Sequence, residues 1–295
     1  MMKAFKLYSS LTKIGIVIFV LLATLAGYIT GYQTENKFEM THLLLTLLGV
    51  YLLSSGSLAL NQVQEYKLDK KMKRTSTRPV ASGKITPVAA GSFALGFLVS
   101  GLYLLSMVNL TSAGLGLLTV ILYNGVYTYI WKPKWIYAAV PGAIPGALPV
   151  SIGYAAVNTD LFNSESIYLF LILFLWQMPH FWALAVRFKD DYADGGVPTL
   201  PVALGMDKTF YQMGMYTLLY AGVAIASPFF VRTSWIYILC VVPLSIKLIL
   251  EFRKYHKAAG ETGWFRYFMW VNVSVLVYLF VPAADKWNFL FFNTN

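Results

Sequence analysis

The sequence predicts an all-α membrane protein, a single polytopic bundle of about nine transmembrane helices. Three observations predict it. Hydrophobic residues make up 58% of the chain and charged residues 12%, whereas an ordinary soluble domain carries about 25% charged residues. Apolar runs recur that reach the roughly 20 residues a helix needs to cross a bilayer. The basic residues fall almost entirely on alternate connections between those runs.

Taken in order, the first run, 12–32, follows Lys3 and Lys6, with Lys13 at its start. It is longer than the apolar core of a signal peptide, and Thr24 to Gly31 holds no small-residue cleavage site, so it is expected to be a retained helix. The second, 41–61, ends at Asn61, where charge begins. The third and fourth are 88–109 and 112–131, and Tyr123, Asn124 and Tyr127 close the fourth ahead of Lys132-Pro133-Lys134. The fifth, 136–157, carries Gly142, Pro145, Gly146 and Pro149; membrane helices tolerate such residues where they pack closely or kink. They are expected to shape a chamber wall. The sixth, 166–187, contains Pro179 and His180, and the ninth is 264–284. Only a short turn at Arg232-Thr233-Ser234 separates the seventh, 209–231, from the eighth, 235–251. The lone Cys240 sits in the eighth, which rules out a disulfide framework and predicts a buried thiol. Residues 1–295 read as one integral-membrane domain, with functional loops at about 61–87 and 187–208.

A net charge of +10 on a soluble chain would point to nucleic acid. Its distribution points instead to the lipid bilayer, with no nucleic-acid partner. With nine spans, all of the 23 Lys and Arg residues except Lys37, Arg232 and Lys286 share one side. The positive-inside rule makes that side, with the N-terminus and both functional loops, cytoplasmic, and leaves the C-terminus outside. No Arg- and Ser-rich transit segment is evident, so a bacterial inner membrane is the expected location.

The most informative segment runs from Asn61 through Glu65 and Asp69 to Arg74, Thr75, Arg78 and Pro79. A step of four residues turns a helix by only about 40°, so Asn61, Glu65 and Asp69 share one face over roughly 12 Å. Such a stripe of hard oxygen ligands suits Mg²⁺, and arginines just beyond it suit phosphate. A second cluster reads Pro179-His180-Phe181-Trp182, then Lys189-Asp190-Asp191-Tyr192 and Asp194-Gly195-Gly196. Two acidic clusters on one membrane face predict two Mg²⁺ sites, one at Asn61, Glu65 and Asp69 and a second at Asp190 and Asp191, with a diphosphate held between them. Mg²⁺ and basic side chains stabilise the charge that develops on a departing diphosphate. An allylic diphosphate would leave a carbocation, which an aromatic-lined apolar chamber can hold.

Plainer readings exist for each feature. A juxtamembrane basic run is most often an anchor, but an anchor does not explain an Asn/Glu/Asp face inside the run or a second acidic cluster on the same side. Lys3, Lys6, Lys13 and most bases after the eighth span are left as anchors. A lone histidine such as His180 is more often a packing residue than a ligand. His42 reads as interfacial and His256 as solvated. Tyr123, Asn124 and Lys132 lie where belt residues usually sit, and are the minority candidates for reaching substrate phosphate.

With those residues in place, the chain resembles the UbiA superfamily of intramembrane prenyltransferases over nearly its whole length. The superfamily pattern Asn-x-x-x-Asp-x-x-x-Asp, then Arg-Thr-x-x-Arg-Pro, appears as Asn61, Glu65, Asp69, Arg74-Thr75 and Arg78-Pro79, with Glu65 in place of the commoner Asp. Pro179-His180-Phe181-Trp182, Asp191-Tyr192 and Val197-Pro198-Thr199-Leu200-Pro201 resemble its haem-farnesylating branch. Asp190 stands where Glu is common, and Asp194 has no clear counterpart. The resemblance implies transfer of a farnesyl group from farnesyl diphosphate to a vinyl group of haem b, with water addition and release of diphosphate. Haem is reached only through this resemblance. It implies Mg²⁺ as cofactor, with Asn61, Glu65, Asp69, Asp190, Asp191 and Tyr192 in the catalytic set. Arg74, Arg78, Lys132, Tyr123, Asn124, His180 and Lys189 become substrate contacts, with His180 the candidate for haem as axial ligand or propionate partner. A haem A synthase or terminal-oxidase assembly factors are the implied protein partners. The alternatives are an aromatic quinone precursor or lipid alcohol as acceptor, or a non-catalytic haem-handling or transport protein.

Overall fold

Lipid offers no hydrogen bonds to a backbone, so a chain this apolar folds into helices, which satisfy their own N–H and C=O groups. The computed structural model describes residues 2–33 and 38–292; Lys37, one of the three bases expected outside, lies beyond them. Helix α1 (Met2–Leu11) precedes a break at Lys13, and α2 (Ile14–Gly31), α3 (Met40–Asp69) and α4 (Pro87–Val108) follow. The next span is composite: α5 (Leu110–Val120), a π-helix over Ile121–Trp131, and the short α6 (Lys132–Lys134). Then come α7 (Ala139–Val157) and α8 (Ser164–Arg187). Short α9 (Lys189–Asp194) and α10 (Leu200–Ala203) lead into α11 (Gly205–Ile225), α12 (Trp235–Lys257) and α13 (Trp264–Phe292).

Among the described residues, eight helices are long and apolar enough to cross a membrane. The expected seventh span, 209–231, is the helix α11, but it is not among those eight. Asp207, Lys208, Tyr211 and Gln212 dilute its first half, and it stops at Ile225 ahead of a 3₁₀ turn at Ser227–Phe229. It still belongs to the bundle, packed against α8 and α12. The helix of the second span continues past its apolar run to Asp69, as the spacing of the stripe requires, so all three oxygen-bearing residues ride on one rigid element. One other expectation needs correction. Cys240 is exposed on the outer face of α12 and not buried, because a thiol is apolar enough to face lipid.

Helices α2 and α7 cross in backbone contact. A Cβ on Gly27 would lie 2.0 Å from the Val150 carbonyl oxygen, and one on Gly153 would lie 1.9 Å from that of Thr24. Only glycine allows this approach, the usual means of packing helices where lipid removes the hydrophobic drive. Helix α8 then joins α7 to α11 and α13, and α12 packs against those two. Their shared core is rich in tyrosine, whose hydroxyls are paired inside it: Tyr168 with Tyr237 at 2.8 Å and Tyr278 with Ser245 at 2.6 Å.

Candidate active site

Three oxygen-bearing side chains of α3 point into one buried space. Asn61, Glu65 and Asp69 are 3%, 6% and 1% exposed, so the expected common face is real. Each has a cationic partner from a different part of the chain. Arg78 Nη1 donates to Asp69 Oδ1 and Oδ2 at 2.7 and 2.9 Å. Lys132 Nζ donates to Glu65 Oε1 at 2.5 Å. Lys13 Nζ donates to Asn61 Oδ1 at 2.9 Å. Buried charges persist only when paired in this way.

Lys13, expected to be a membrane anchor, therefore belongs to the site. It has a left-handed backbone (φ 51, ψ 56) at the break between α1 and α2. A non-glycine residue adopts that conformation at a cost the surrounding structure must offset. Burial first, and then the Arg78 guanidinium, push its ammonium down to about 7. A lysine at the start of the first apolar run is the only signal in the sequence, and that position equally suits an anchor.

Lys132 reaches Glu65 because the π-helix ends at Trp131, directly before it. Asn124, on the same π-helix, is taken up by α3. Its Nδ2 donates to Ser57 O at 2.9 Å and Gln64 Oε1 at 3.0 Å, while its Oδ1 accepts from Ser57 Oγ at 2.5 Å. It ties the two helices together. Tyr123 and Tyr127, stacked 5.9 Å apart, turn instead into a chamber below the charges.

The second acidic cluster is latched to the first loop. The Arg74 backbone N–H donates to Asp191 Oδ2 at 3.2 Å, and its Nη2 donates to the Tyr192 hydroxyl at 3.2 Å. Its guanidinium also covers the rings of Phe188 at 4.5 Å and Tyr192 at 5.2 Å. Thr75 Oγ1 donates to the Asp69 carbonyl oxygen at 3.0 Å, fastening the loop at its root. Asp191 is thus drawn to the site, Lys189 is half-buried beside it, and Asp190 and Asp194 are exposed. Arg74 acts as the clasp between the loops.

The donor chemistry suits Mg²⁺. Among the described residues, no three His, Cys, Asp or Glu side chains gather closely enough to cage a metal, because four-residue spacing places the carboxylates a turn apart. Mg²⁺ does not require such a cage; it binds through one or two carboxylates together with substrate phosphates.

Beneath the charged ring lies an open cavity of about 340 Å³. Its walls are apolar and aromatic, with Leu53 of α3, Pro145 of α7, Phe181 of α8 and the two tyrosines prominent. Gln177 of α8, unremarked in the sequence, also faces it. His180 turns from α8 toward α13, sharing a 3.0 Å hydrogen bond between Nδ1 and Asn272 Oδ1. Its ring lies 4.6 Å from that of Trp176 and 4.8 Å from that of Phe268.

Comparison with known proteins places this geometry among relatives. The model of the UbiA prenyltransferase family matches residues 20–273. A protoheme IX farnesyltransferase of Bdellovibrio bacteriovorus is 59% identical, with 98% of this chain and 99% of the relative covered. One from Leptospira biflexa is 36% identical, with 84% and 87% covered. A structure of digeranylgeranylglyceryl phosphate synthase superposes with TM-score 0.76 at 16% identity, covering 96% of this chain and 99% of that one. A UbiA homologue from Archaeoglobus fulgidus bound to DMAPP and Mg²⁺ gives 0.68 at 17% identity, covering 94% and 99%. At those identities the two structures establish the fold alone.

Proposed function

The chain belongs to the UbiA prenyltransferase family, and from that premise we propose that it transfers a farnesyl group from farnesyl diphosphate to a vinyl group of haem b, water completing the reaction to give haem O. The observation that carries the reading is a buried ring of paired acids and bases at the mouth of an apolar, tyrosine-lined chamber. The acceptor is supported by the 59% identical relative, which covers nearly the full chain.

Asn61, Glu65 and Asp69 would hold one Mg²⁺, and Asp190 and Asp191 would bind or orient a second. When bound, the metal supplies positive charge to the diphosphate as the C–O bond breaks. The chain's bases do the rest. Arg78, Lys132 and Lys13, now resting on the acids, and Lys189 beside them, turn to the diphosphate oxygens. Arg74, held by Tyr192, keeps the two loops together over the leaving group. The apolar walls of the chamber disfavour bulk water while the Tyr123 and Tyr127 rings face the allylic cation. His180 is the haem contact. An amide oxygen only accepts, so His180 Nδ1 is the donor to Asn272, and Nε2 keeps the lone pair with which His180 would hold the haem.

The chain is a polytopic membrane protein. The distribution of basic residues supports a bacterial inner membrane with the N-terminus and the site cytoplasmic and the C-terminus outside. A haem A synthase or terminal-oxidase assembly factors are the proposed takers of the product. Purified protein incubated with haem b, farnesyl diphosphate and Mg²⁺ should yield haem O by mass spectrometry, and a chelator should abolish it. Failure to form any farnesylated haem under these conditions would refute the assignment.

A further inference from the structure

Gln177 places an amide in a chamber wall that is otherwise largely apolar. Its Nε2 donates to the Ala143 carbonyl at 2.9 Å and to the Leu173 carbonyl at 3.0 Å. Two carbonyls take both amide hydrogens, so Oε1 must point away from them. Among the described residues no donor reaches that oxygen.

The wall is cut to receive it. A Cβ on Gly146 would lie 2.0 Å from Gln177 Oε1, and a Cβ on Gly142, one turn earlier on α7, would lie 2.5 Å from the Tyr127 ring. The two glycines are adjacent notches that seat the tyrosine ring and the amide about 6 Å apart along the helix. Gln177 lies ten residues, about 15 Å, before the end of α8, below the charged ring and beside the upper chamber residue Phe181. Hydroxyls of Ser54, Thr119, Tyr123 and Tyr127 also line the chamber, but a water admitted at one moment needs an acceptor fixed in direction, and Gln177 Oε1, its amide anchored on two backbone carbonyls, is one.

We propose that Gln177 is the positioning residue for the water that ends the reaction, an inference that rests on the haem-farnesylation reading. In that reaction the C1–O bond of farnesyl diphosphate breaks, and diphosphate leaves with the electron pair. The vinyl π electrons form the new C–C bond to C1, which leaves a cation on the vinyl carbon next to the porphyrin ring. A water held by Gln177 Oε1 turns its lone pair to that carbon, the C–O bond forms, and the released proton ends on the departing diphosphate. A neutral amide suits this role, since a carboxylate in its place would itself trap the cation as an ester. Without the positioned water, the cation loses a proton from the neighbouring CH₂ and gives an alkene lighter by one water.

The test is the ratio of hydrated to dehydrated farnesyl-haem, measured by mass spectrometry in Gln177→Met and in Gly146→Ala. The first removes the acceptor at similar volume; the second keeps the amide but pushes it out of its seat against Gly146. Both should lower the ratio by about tenfold, the worth of one hydrogen bond. A purely structural tie between α8 and α7 would reduce total product and leave the ratio unchanged. An unchanged ratio in whichever variant accumulates overturns the proposal, while a wild-type protein that forms no farnesyl-haem overturns the parent reading as well.

Discussion

Glu65 and Lys132 illustrate the cost of a charge at membrane depth. The carboxylate is almost wholly covered, and the lysine that neutralises it comes from 67 residues away. Removing one member of such a pair leaves the other buried and uncompensated. Lys132→Met should therefore destabilise the detergent-solubilised protein by about 3 kcal/mol, read as a lower thermal midpoint, and adding Glu65→Gln should restore most of the loss. If the double variant melts below the single, the pair is not what holds the ring. At this scale the sequence was partly legible. Asn61, Glu65 and Asp69 declare themselves by spacing alone. Lys13 and Gln177 do not, because a lysine before a span and a glutamine within one are each common for other reasons.

At the scale of elements, the two functional loops form one unit through Arg74. Sequence reasoning assigns that arginine to phosphate; its geometry assigns it to the joint between loops, with a backbone bond to Asp191 and its guanidinium over two rings. Arg74→Ala should raise the KM for farnesyl diphosphate several-fold and speed amide exchange across 187–208, with little change in the melting of the bundle. Arg74→Lys should not rescue, because an ammonium lacks the planar face that stacks on Phe188 and Tyr192. Full activity in either variant would argue against a latch. The π-helix was not legible. Its side chains, Ile121 to Trp131, suit an α-helix as well, and what distinguishes it is its packing, with Asn124 fastened to α3 and Tyr123 and Tyr127 turned into the chamber.

For the whole molecule, the distribution of basic residues makes a topological prediction. In a Cys240→Ser background, Ser82→Cys should react with an impermeant thiol reagent only from the cytoplasmic side. Phe162→Cys, at a position 90% exposed in the α7–α8 loop, should react only from the other. Labelling with the opposite sidedness would invert the orientation. The sequence by itself determined that the chain crosses a membrane repeatedly, where most helices lie, and that oxygen ligands and bases collect at one face. Those features follow from hydropathy, spacing and charge, which are properties of neighbours along a chain. Only the tertiary structure decided that Lys13, Lys132 and Arg78 each rest on a different member of the stripe, and that Gly146 makes room for Gln177. Those pairings join residues from nine to 67 positions apart, and their physical basis is the need of each buried polar group for a partner, which other segments supply only once packed.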